Sequence, residues 1–381
     1  MRVGFFTEVY HPVVNGIVAS VDGLACGLRA LGHEVYCFTP HVPGYEERDE
    51  PVFRMPSLPL PVHAPYRLTL PLVSRRNRHS IINRLDILHA HSPFVTGWMA
   101  VRYARRLRVP LVYTYHTQLE EYAHYLPFEP QATRRAASTL TRGFANLTDA
   151  VIVPTDSMRD HLIDLGVTVR VEVIPSGIDL TQFGSGTRSA RLRDSLGVRG
   201  GERMLLFVSR LAREKNVELL LDALRAAAVP ARLVIAGEGP ERAALEARAV
   251  EYRITDRIRF LGPVERRDLP DLYASADAFV FPSVTETQGL VLVEALAAGA
   301  LVIAADAPPV REVLDGAGRL VAPTARAFAQ AFAEVPANPD AAETAKACAA
   351  AARYSIERQA RSAAGLYEDL TRTYVRYTIG T

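Results

Sequence analysis

The sequence predicts an α/β protein of two domains, each built on an open parallel β-sheet. Short apolar runs that suit buried strands alternate with longer amphipathic runs that suit helices, and this alternation occurs in both halves of the chain. The length of 381 residues also suits two domains, and the hydrophobic share of 49% is enough to form two cores.

The N-terminal half contains the first set of predicted strands, which are Arg2 to Thr7, Glu34 to Thr39, Asp86 to Ala90, Leu111 to Tyr115, Ala150 to Pro154 and Val171 to Pro175. An amphipathic helix is expected from Val18 to Leu31, closed by Gly32. Residues 40 to 65 are rich in proline, so we expect neither a regular helix nor a central strand there.

The second half contains a similar set of predicted strands, which are Met204 to Ser209, Leu233 to Gly237, Ile258 to Gly262, Asp277 to Pro282 and Ala300 to Ala304. Alanine-rich helices are expected to end the chain. The two sets therefore predict two similar α/β halves rather than one large sheet.

The composition excludes several classes of protein. A net charge of +2 argues against a general polyanion binder. The three cysteines, Cys26, Cys37 and Cys348, are odd in number and far apart, which argues against a disulfide framework or a zinc site and fits a reducing compartment. The N-terminus does not resemble a signal peptide, and every apolar run is too short for a membrane-spanning helix.

The stretch from Ser283 to Gly299, S-V-T-E-T-Q-G-L-V-L-V-E-A-L-A-A-G, is the most informative part of the chain. It predicts a loop and then a buried helix from about Gln288 that ends at Gly299. Glu286 falls in the loop, whereas Glu294 falls inside the apolar helix, where an unpaired carboxylate is costly. Gly289 is expected in the first helical turn, where its backbone N–H suits an anion or a hydroxyl. Alternatively, Glu294 pairs with a core arginine and Gly289 only eases packing.

Three further segments contain candidates for binding or catalysis. In V-S-R-L-A-R-E-K-N, Arg210 and Lys215 follow a strand end and suit a pyrophosphate, although surface charges at a helix start are the alternative. His116 ends a predicted parallel strand, where α/β proteins bind ligands, but a structural histidine is also possible. Asn15-Gly16 is a weak sequence signal for a phosphate-binding turn, and a tight turn between strand and helix is the alternative.

The spacing E-x7-E from Glu286 to Glu294, followed by an apolar helix end, resembles the signature of the family 4 retaining glycosyltransferases. The resemblance implies the GT-B fold, in which two Rossmann-like domains face a central cleft. It assigns 1–178 to an acceptor domain and 179–356 to a nucleotide-sugar domain, with helix 357–381 packing back on the first domain. Many members begin the motif with E-G-F-G, whereas this chain has E-T-Q-G.

The resemblance also implies roles for individual residues. The donor-binding residues are Gly16, Arg210, Lys215, Gly237, Val264, Glu286, Gly289, Leu290, Val291 and Glu294. Glu286 would hold the donor sugar, Glu294 the ribose hydroxyls, and Arg210 and Lys215 the diphosphate. His116, Glu286, Arg210 and Lys215 form the catalytic set. No metal or other cofactor is expected, because the two cations replace a metal ion at the diphosphate.

The segment Y-H-T-x-x-E-x-Y-x-H-Y is similar to bacterial and plastid enzymes that glycosylate diacylglycerol. The acceptor-binding residues implied by this similarity are Glu121, Tyr122, His124 and Tyr125, with Asn15 added from the first loop. The alternative is an amphipathic helix that packs on its own domain.

The resulting prediction is a retaining, α-linkage-forming hexosyltransferase that moves glucose from UDP-glucose to diacylglycerol or a glycolipid. A soluble acceptor, such as a sugar phosphate or a polysaccharide end, is the second hypothesis. A non-catalytic nucleotide-sugar-binding protein is the third, which the intact set of Glu286, Glu294, Arg210 and Lys215 disfavours.

An excess of arginine predicts where the protein meets a membrane. Residues 51 to 119 contain ten arginines and a single acidic residue, Asp86. Arg75, Arg76 and Arg78 follow an apolar, proline-rich loop, which suits peripheral contact with the anionic inner face of a membrane from the cytoplasm. A solvated face or a phosphate-binding site is the alternative. Nucleic acid is not expected, because no RNA-binding motif accompanies these arginines.

Overall fold

The computed structural model describes residues 1–47, 51–60, 66–74, 80–125, 129–336 and 340–379, except for the side chains of 123–124 and 375–379. The chain divides into two compact units, one of Met1–Gly177 with Ile356–Thr381 and the other of Ile178–Ser355. Below we call them the N-terminal unit and the C-terminal unit. Arg75, Arg76 and Arg78 lie outside the described residues.

The N-terminal unit is built on a parallel sheet with the order β3-β2-β1-β6-β7-β8-β9. Its strands are β1 Arg2–Phe6, β2 Glu34–Pro40, β3 Val52–Met55, β6 Ile87–Ala90, β7 Leu111–Thr114, β8 Ala150–Val153 and β9 Arg170–Val173. A separate antiparallel pair consists of β4 Ser57–Pro59 and β5 Arg67–Thr69. Buried side chains fill both faces of the large sheet, with Phe5 on one face and Phe6 on the other.

The described residues between 40 and 65 contain neither a regular helix nor a central strand, as predicted, but they do contain two short strands that were not predicted. The segment contributes β3 to the large sheet, which therefore has seven strands instead of the six predicted, and β4 to the antiparallel pair. The strand β3 lies at the edge of the sheet, between Pro51 and Pro56. Proline is tolerated beside an edge strand because one side of that strand has no sheet partner, and a proline-rich composition therefore excludes only a central strand.

The helices of the N-terminal unit are α1 Gly16–Ala30, α2 Val95–Leu107, α3 Pro130–Ala145, α4 Asp156–Asp164 and the C-terminal helix Ile356–Ile379, with 3-10 segments at Ile82–Arg84 and Leu119–Tyr125. The C-terminal helix packs on α1. A Cβ atom added to Gly27 would lie only 2.6 Å from the Cβ of Ala360, so glycine permits this close approach. Tyr367 on the same helix hydrogen bonds to the buried His89 at 2.6 Å.

The C-terminal unit is built on a second parallel sheet, with the order β12-β11-β10-β13-β14-β15. Its strands are β10 Arg203–Val208, β11 Ala231–Ala236, β12 Ile258–Gly262, β13 Ala278–Phe281, β14 Val302–Ala305 and β15 Arg319–Val321. The sequence did not predict β15, which has three partly exposed residues and therefore no apolar run. The order of connection reverses between β10 and β13, which is the dinucleotide-fold arrangement.

The helices of the C-terminal unit are α5 Leu180–Gly184, α6 Ala190–Ser195, α7 Val217–Ala226, α8 Arg242–Glu251, α9 Leu269–Ser275, α10 Leu290–Ala297, α11 Pro308–Leu314, α12 Ala325–Ala333 and α13 Ala341–Ala351. Short 3-10 segments occupy Arg213–Lys215, Thr255–Arg257, Arg266–Asp268 and Ala352–Tyr354. Successive residues of β10 point to opposite faces of the sheet, so Leu206 packs in one apolar core and Phe207 in the other. Within the described parts of both units, we find no helix that is long and apolar enough to cross a membrane.

Candidate active site

In the C-terminal unit, four neighbouring strands end at the same edge of the sheet because all of them are parallel. Arg210 and Lys215 follow β10, Gly237 follows β11, Val264 follows β12 and Glu286 follows β13. The strands β10 and β13 flank the point where the order of connection reverses. Open α/β sheets bind ligands at the carboxyl ends of the strands beside such a point.

An ion pair connects the two loops that flank this point. The Nζ atom of Lys215 lies 2.5 Å from the Oε1 atom of Glu286, and the two side chains are only 16% and 14% exposed. Two hydroxyl groups strengthen the connection, because Ser283 and Thr285 both donate to the carbonyl oxygen of Glu214, at 3.1 and 3.4 Å. The structure therefore brings the predicted donor residues Lys215 and Glu286 into direct contact.

Arg210 is oriented by Glu214, a residue that the sequence reasoning missed. The Glu214 carboxylate is buried and contacts the guanidinium of Arg210 at 2.5 Å. Its only sequence signal was the acid inside A-R-E-K-N. Asn216 adopts the left-handed conformation with φ of 52°, which asparagine tolerates better than most residues other than glycine. Among the described residues, no group of three or more histidine, cysteine or acidic side chains is placed to hold a metal ion.

Glu294 lies in the middle of α10 and is 4% exposed. Its Oε2 atom accepts a hydrogen bond from the Tyr273 hydroxyl at 3.0 Å, and its Oε1 atom lies 3.4 Å from Arg266. Burial raises the pKa of Glu294, while the charge of Arg266 and the Tyr273 hydrogen bond act in the opposite direction. The arginine pairing of the alternative interpretation is thus present, although the Arg266 side chain is 41% exposed and does not lie in the core. The sequence singled out neither partner, since each lies on a different element.

The prediction that Gly289 lies in the first helical turn was wrong. Gly289 precedes α10 as its N-cap residue, with φ of 80° and ψ of 74°. Glycine is needed there because other residues rarely adopt a positive φ, and an added Cβ would lie 3.1 Å from Leu292. The first turn therefore begins with Leu290 and Val291, whose donor-binding roles stay predictions.

Gly237 is also required by the local backbone. Its φ is 145°, and an added Cβ would lie 1.9 Å from the carbonyl oxygen of Ser209. The turn after β11 thus packs directly against the chain that leads from β10 to Arg210. Val264 is half-buried against the apolar core of the same unit. The contacts of both residues with a nucleotide stay predictions.

In the N-terminal unit, His116 follows β7 and belongs to a stack of histidine rings. The Nδ1 atom of the buried His91 lies 3.0 Å from the Nε2 atom of His116. His91 also stacks on His89, with ring centroids 4.2 Å apart, and His89 contacts Thr114 and Tyr367, both at 2.6 Å. The sequence reasoning missed His89 and His91. Their signal was the H-A-H alternation at the end of β6, which places both side chains on one face of the sheet beside β7.

Burial keeps the three histidines neutral. It lowers the pKa of His116 to about 4 and the pKa values of His89 and His91 well below their usual value. The charged forms would also repel each other within the stack. His116 is therefore a neutral imidazole at physiological pH in the ligand-free protein.

Asn15 and the 3-10 segment at 119–125, both predicted to bind the acceptor, and Gly16, predicted to bind the donor, have different local roles. Asn15 caps α1, because its side chain accepts a hydrogen bond from the amide of Val18 at 2.9 Å. Gly16 begins the helix, and an added Cβ would meet no atom within 4 Å, so packing does not require glycine there. Residues 119–125 form a 3-10 segment rather than an amphipathic α-helix.

Within this 3-10 segment, the rings of Tyr122 and Tyr125 lie 6.1 Å apart, and the amide of Glu121 donates to the carbonyl of Gln118 at 3.0 Å. The side chain of His124 is outside the described part of the chain. Glu120, which the sequence reasoning passed over, is buried and pairs with His161 at 2.5 Å. The segment is thus tied to α4 through Glu120, while the acceptor roles of its neighbours stay predictions.

Comparison with known proteins identifies two matching family models and several related sequences. The family described as Glycosyltransferase Family 4 matches residues 14–182, and the one described as Glycosyl transferases group 1 matches residues 189–354. An alpha-monoglucosyldiacylglycerol synthase of Streptococcus pneumoniae is 35% identical over 314 residues, which covers 80% of this chain and 71% of that protein. A GDP-mannose-dependent alpha-mannosyltransferase of Mycobacterium tuberculosis is 33% identical over 320 residues, with 82% and 81% covered.

Solved structures support the fold. Sucrose-phosphate synthase of Thermosynechococcus elongatus superimposes with a TM-score of 0.78 at 22% identity, and the match covers 98% of this chain and 99% of that one. The prediction of the GT-B fold, with two parallel-sheet α/β domains, is confirmed by this likeness and by the two sheets.

The neutral histidine stack predicts a pH dependence of stability. The unfolded chain binds protons on these histidines below about pH 6.5, whereas the folded chain does not until the pH falls much further. The free energy of unfolding should therefore rise with pH between about 4.5 and 6.5. In His91→Phe this slope should fall by up to about 1.4 kcal/mol per pH unit, as measured by denaturant titration. Phe5→Leu, which alters packing against the same ring, should keep the slope, and an unchanged slope in His91→Phe would contradict the assignment.

Proposed function

The chain belongs to glycosyltransferase family 4, and from this premise we propose that it transfers glucose from UDP-glucose to a lipid hydroxyl, such as that of diacylglycerol, with retention of configuration. The observation that carries this proposal is the Lys215–Glu286 ion pair at the reversal point of the sheet, with Arg210 held beside it on the same loop. Two cations and a carboxylate at the carboxyl ends of these strands suit the diphosphate and the hexose of a nucleotide sugar.

In the proposed reaction, the bond between the anomeric carbon and the diphosphate oxygen breaks while the acceptor oxygen bonds to the same face of that carbon. The acceptor proton passes to the departing diphosphate oxygen. Arg210 and Lys215 stabilise the negative charge that develops on this leaving group. His116 and Glu286 position the hexose. We propose that no metal ion is needed, because two side-chain cations can balance the charge that a metal ion would otherwise balance.

The identities of donor and acceptor come from the relatives. The pneumococcal relative, 35% identical, is named an alpha-monoglucosyldiacylglycerol synthase, which supports glucose as the sugar and diacylglycerol as the acceptor. UDP as the nucleotide stays a prediction. The mycobacterial relative is named for GDP-mannose, so GDP-mannose is the competing donor. A soluble sugar phosphate or a polysaccharide end is the competing acceptor.

A surface of the N-terminal unit supports a lipid acceptor. Helices α2 and α3 contain six arginines and no acidic residue, and a groove of about 550 Å³ is lined by Trp98 of α2 and by six residues of α3. Trp98, the chain's sole tryptophan, lines the groove and is 48% exposed. Arg102 and Arg105 are exposed one and two turns further along the same face of α2. An aromatic side chain among arginines suits the interface of an anionic bilayer.

Turnover by the purified protein tests the function. UDP-glucose and GDP-mannose are each offered with diacylglycerol in anionic vesicles or with a soluble hexose phosphate, with EDTA present or absent. We expect glucosyl-diacylglycerol in the α configuration, formed equally well in EDTA. Activity that disappears in EDTA and returns with Mg²⁺ contradicts metal independence. Transfer only to the hexose phosphate, or only from GDP-mannose, replaces the proposed acceptor or donor.

Substitutions at the two glutamates separate nucleotide binding from catalysis. Glu294→Gln removes a charged acceptor from the ribose, so UDP affinity measured by calorimetry should fall by about 1.5–3 kcal/mol. Glu286→Ala should mainly lower kcat, because its proposed contact is with the reacting sugar. The exposed Glu251→Gln serves as the control and should match the wild type. If Glu294→Gln binds UDP as tightly as the wild type, the ribose role is wrong.

The membrane contact has its own test. Replacing Arg102, Arg105 and Arg106 by serine should cost about 3 kcal/mol of affinity for anionic vesicles at low ionic strength, and the loss should shrink as salt is added. The same measurement on serine variants of Arg75, Arg76 and Arg78 shows whether that segment contributes. The matched control replaces three exposed arginines of the C-terminal unit, Arg191, Arg199 and Arg326. Equal losses in the test and control variants would contradict a specific docking surface.

A further inference from the structure

The hydrogen bond between His91 and His116 must contain a single proton. Both rings are neutral at physiological pH, and the bond joins the Nδ1 atom of His91 to the Nε2 atom of His116 at 3.0 Å. A neutral imidazole carries its proton on one nitrogen only. Whichever ring donates in this bond therefore fixes the tautomer of both rings.

The surroundings of His91 decide between the two possibilities. Its other nitrogen, Nε2, is buried and has no hydrogen-bond partner among the described residues. If His116 donated, His91 would carry its proton on Nε2, as a buried N–H without an acceptor. If His91 donates from Nδ1, its Nε2 is only a lone pair without a donor. Buried N–H groups without partners are rarer in proteins than under-satisfied acceptors, so donation by His91 is favoured.

We propose that His91 is a positioning residue that donates its Nδ1–H to Nε2 of His116 and thereby holds His116 in the Nδ1–H tautomer. The fully partnered His89 supports this geometry, because it stacks on His91 at 4.2 Å and is itself fixed by Thr114 and Tyr367. Phe5 packs against the His91 ring from another direction, at 4.7 Å. The ring of His91 is thus held while it donates.

This tautomer limits what His116 does in catalysis, a consequence that rests on the proposed function. Its Nε2 lone pair is already used by His91, so His116 acts as a hydrogen-bond donor and not as a base. The acceptor proton then has to leave with the diphosphate oxygen. His116 contributes by positioning the donor sugar, and His91 contributes only through His116.

Nitrogen-15 NMR of the histidine-labelled full chain tests the tautomer directly at neutral pH. The His116 signals are assigned by their loss in His116→Asn. We expect a protonated Nδ1 and a bare, hydrogen-bonded Nε2 in the wild type. His91→Phe should release the ring toward the Nε2–H form, whereas His91→Asn, whose amide lies near the position of Nδ1, should keep the Nδ1–H form. Phe5→Leu is the packing control and should leave the tautomer unchanged. A wild-type His116 that carries its proton on Nε2 overturns the proposal.

Kinetics separate this proposal from the proposed function. With UDP-glucose and diacylglycerol vesicles, kcat should fall about tenfold in His91→Phe and recover to within about threefold of the wild type in His91→Asn. A tautomer change without any loss of turnover supports the role of His91 but contradicts the role of His116 in catalysis. Equal losses in His91→Phe, His91→Asn and Phe5→Leu would show a structural role for His91 and contradict the positioning role.

Discussion

The ion pair between Lys215 and Glu286 is the contact on which the candidate donor site depends. It joins two loops that come from adjacent strands, β10 and β13, and that are far apart in sequence. Both side chains are mostly shielded from water, so the loss of either partner would leave a poorly solvated charge, which is far more costly than the loss of a surface pair. The hydroxyls of Ser283 and Thr285 add a second connection through Glu214. The geometry of the loops and the charge of the site are therefore coupled.

The fold could be predicted from the sequence wherever burial on both faces leaves a continuous apolar run. The strands β10, β11 and β13 are fully or almost fully buried and were all predicted. The strands β3 and β15, which lie at sheet edges and are only partly buried, were not predicted, although the edge strands β9 and β12 were. The prolines on both sides of β3 also argued against a strand there, although proline disfavours only a central strand and is tolerated at a sheet edge.

The candidate site could be predicted only where one short segment carries the signal. Lys215 and Glu286 lie in segments that can be recognised by themselves, whereas their partners cannot. Glu214 appears in the sequence as an ordinary acid among basic residues. The contact of Arg266 with Glu294 could not be predicted, because it depends on the turn after β12 that brings the two residues together. Likewise, the H-A-H alternation shows only that His89 and His91 share a face, whereas the hydrogen bond from His91 to His116 after the neighbouring strand has no signal in either segment alone. Gly289 was recognised, but its positive φ was not, because composition does not show whether a glycine precedes a helix or begins it.

The choice of lysine at position 215 follows from the same geometry. The chain contains 44 lysine and arginine residues, of which only Lys215 and Lys346 are lysines. An arginine fork would match the Glu286 carboxylate through two parallel bonds, which would direct its donors toward that one partner. An ammonium group instead has three donors around a point charge, so it holds Glu286 at 2.5 Å and keeps donors for another acceptor. Arg210 differs in this respect, since its partner Glu214 is buried and its own side chain is 40% exposed. The two cations therefore suit different tasks, one bridging the two loops and the other reaching outward from a fixed anchor.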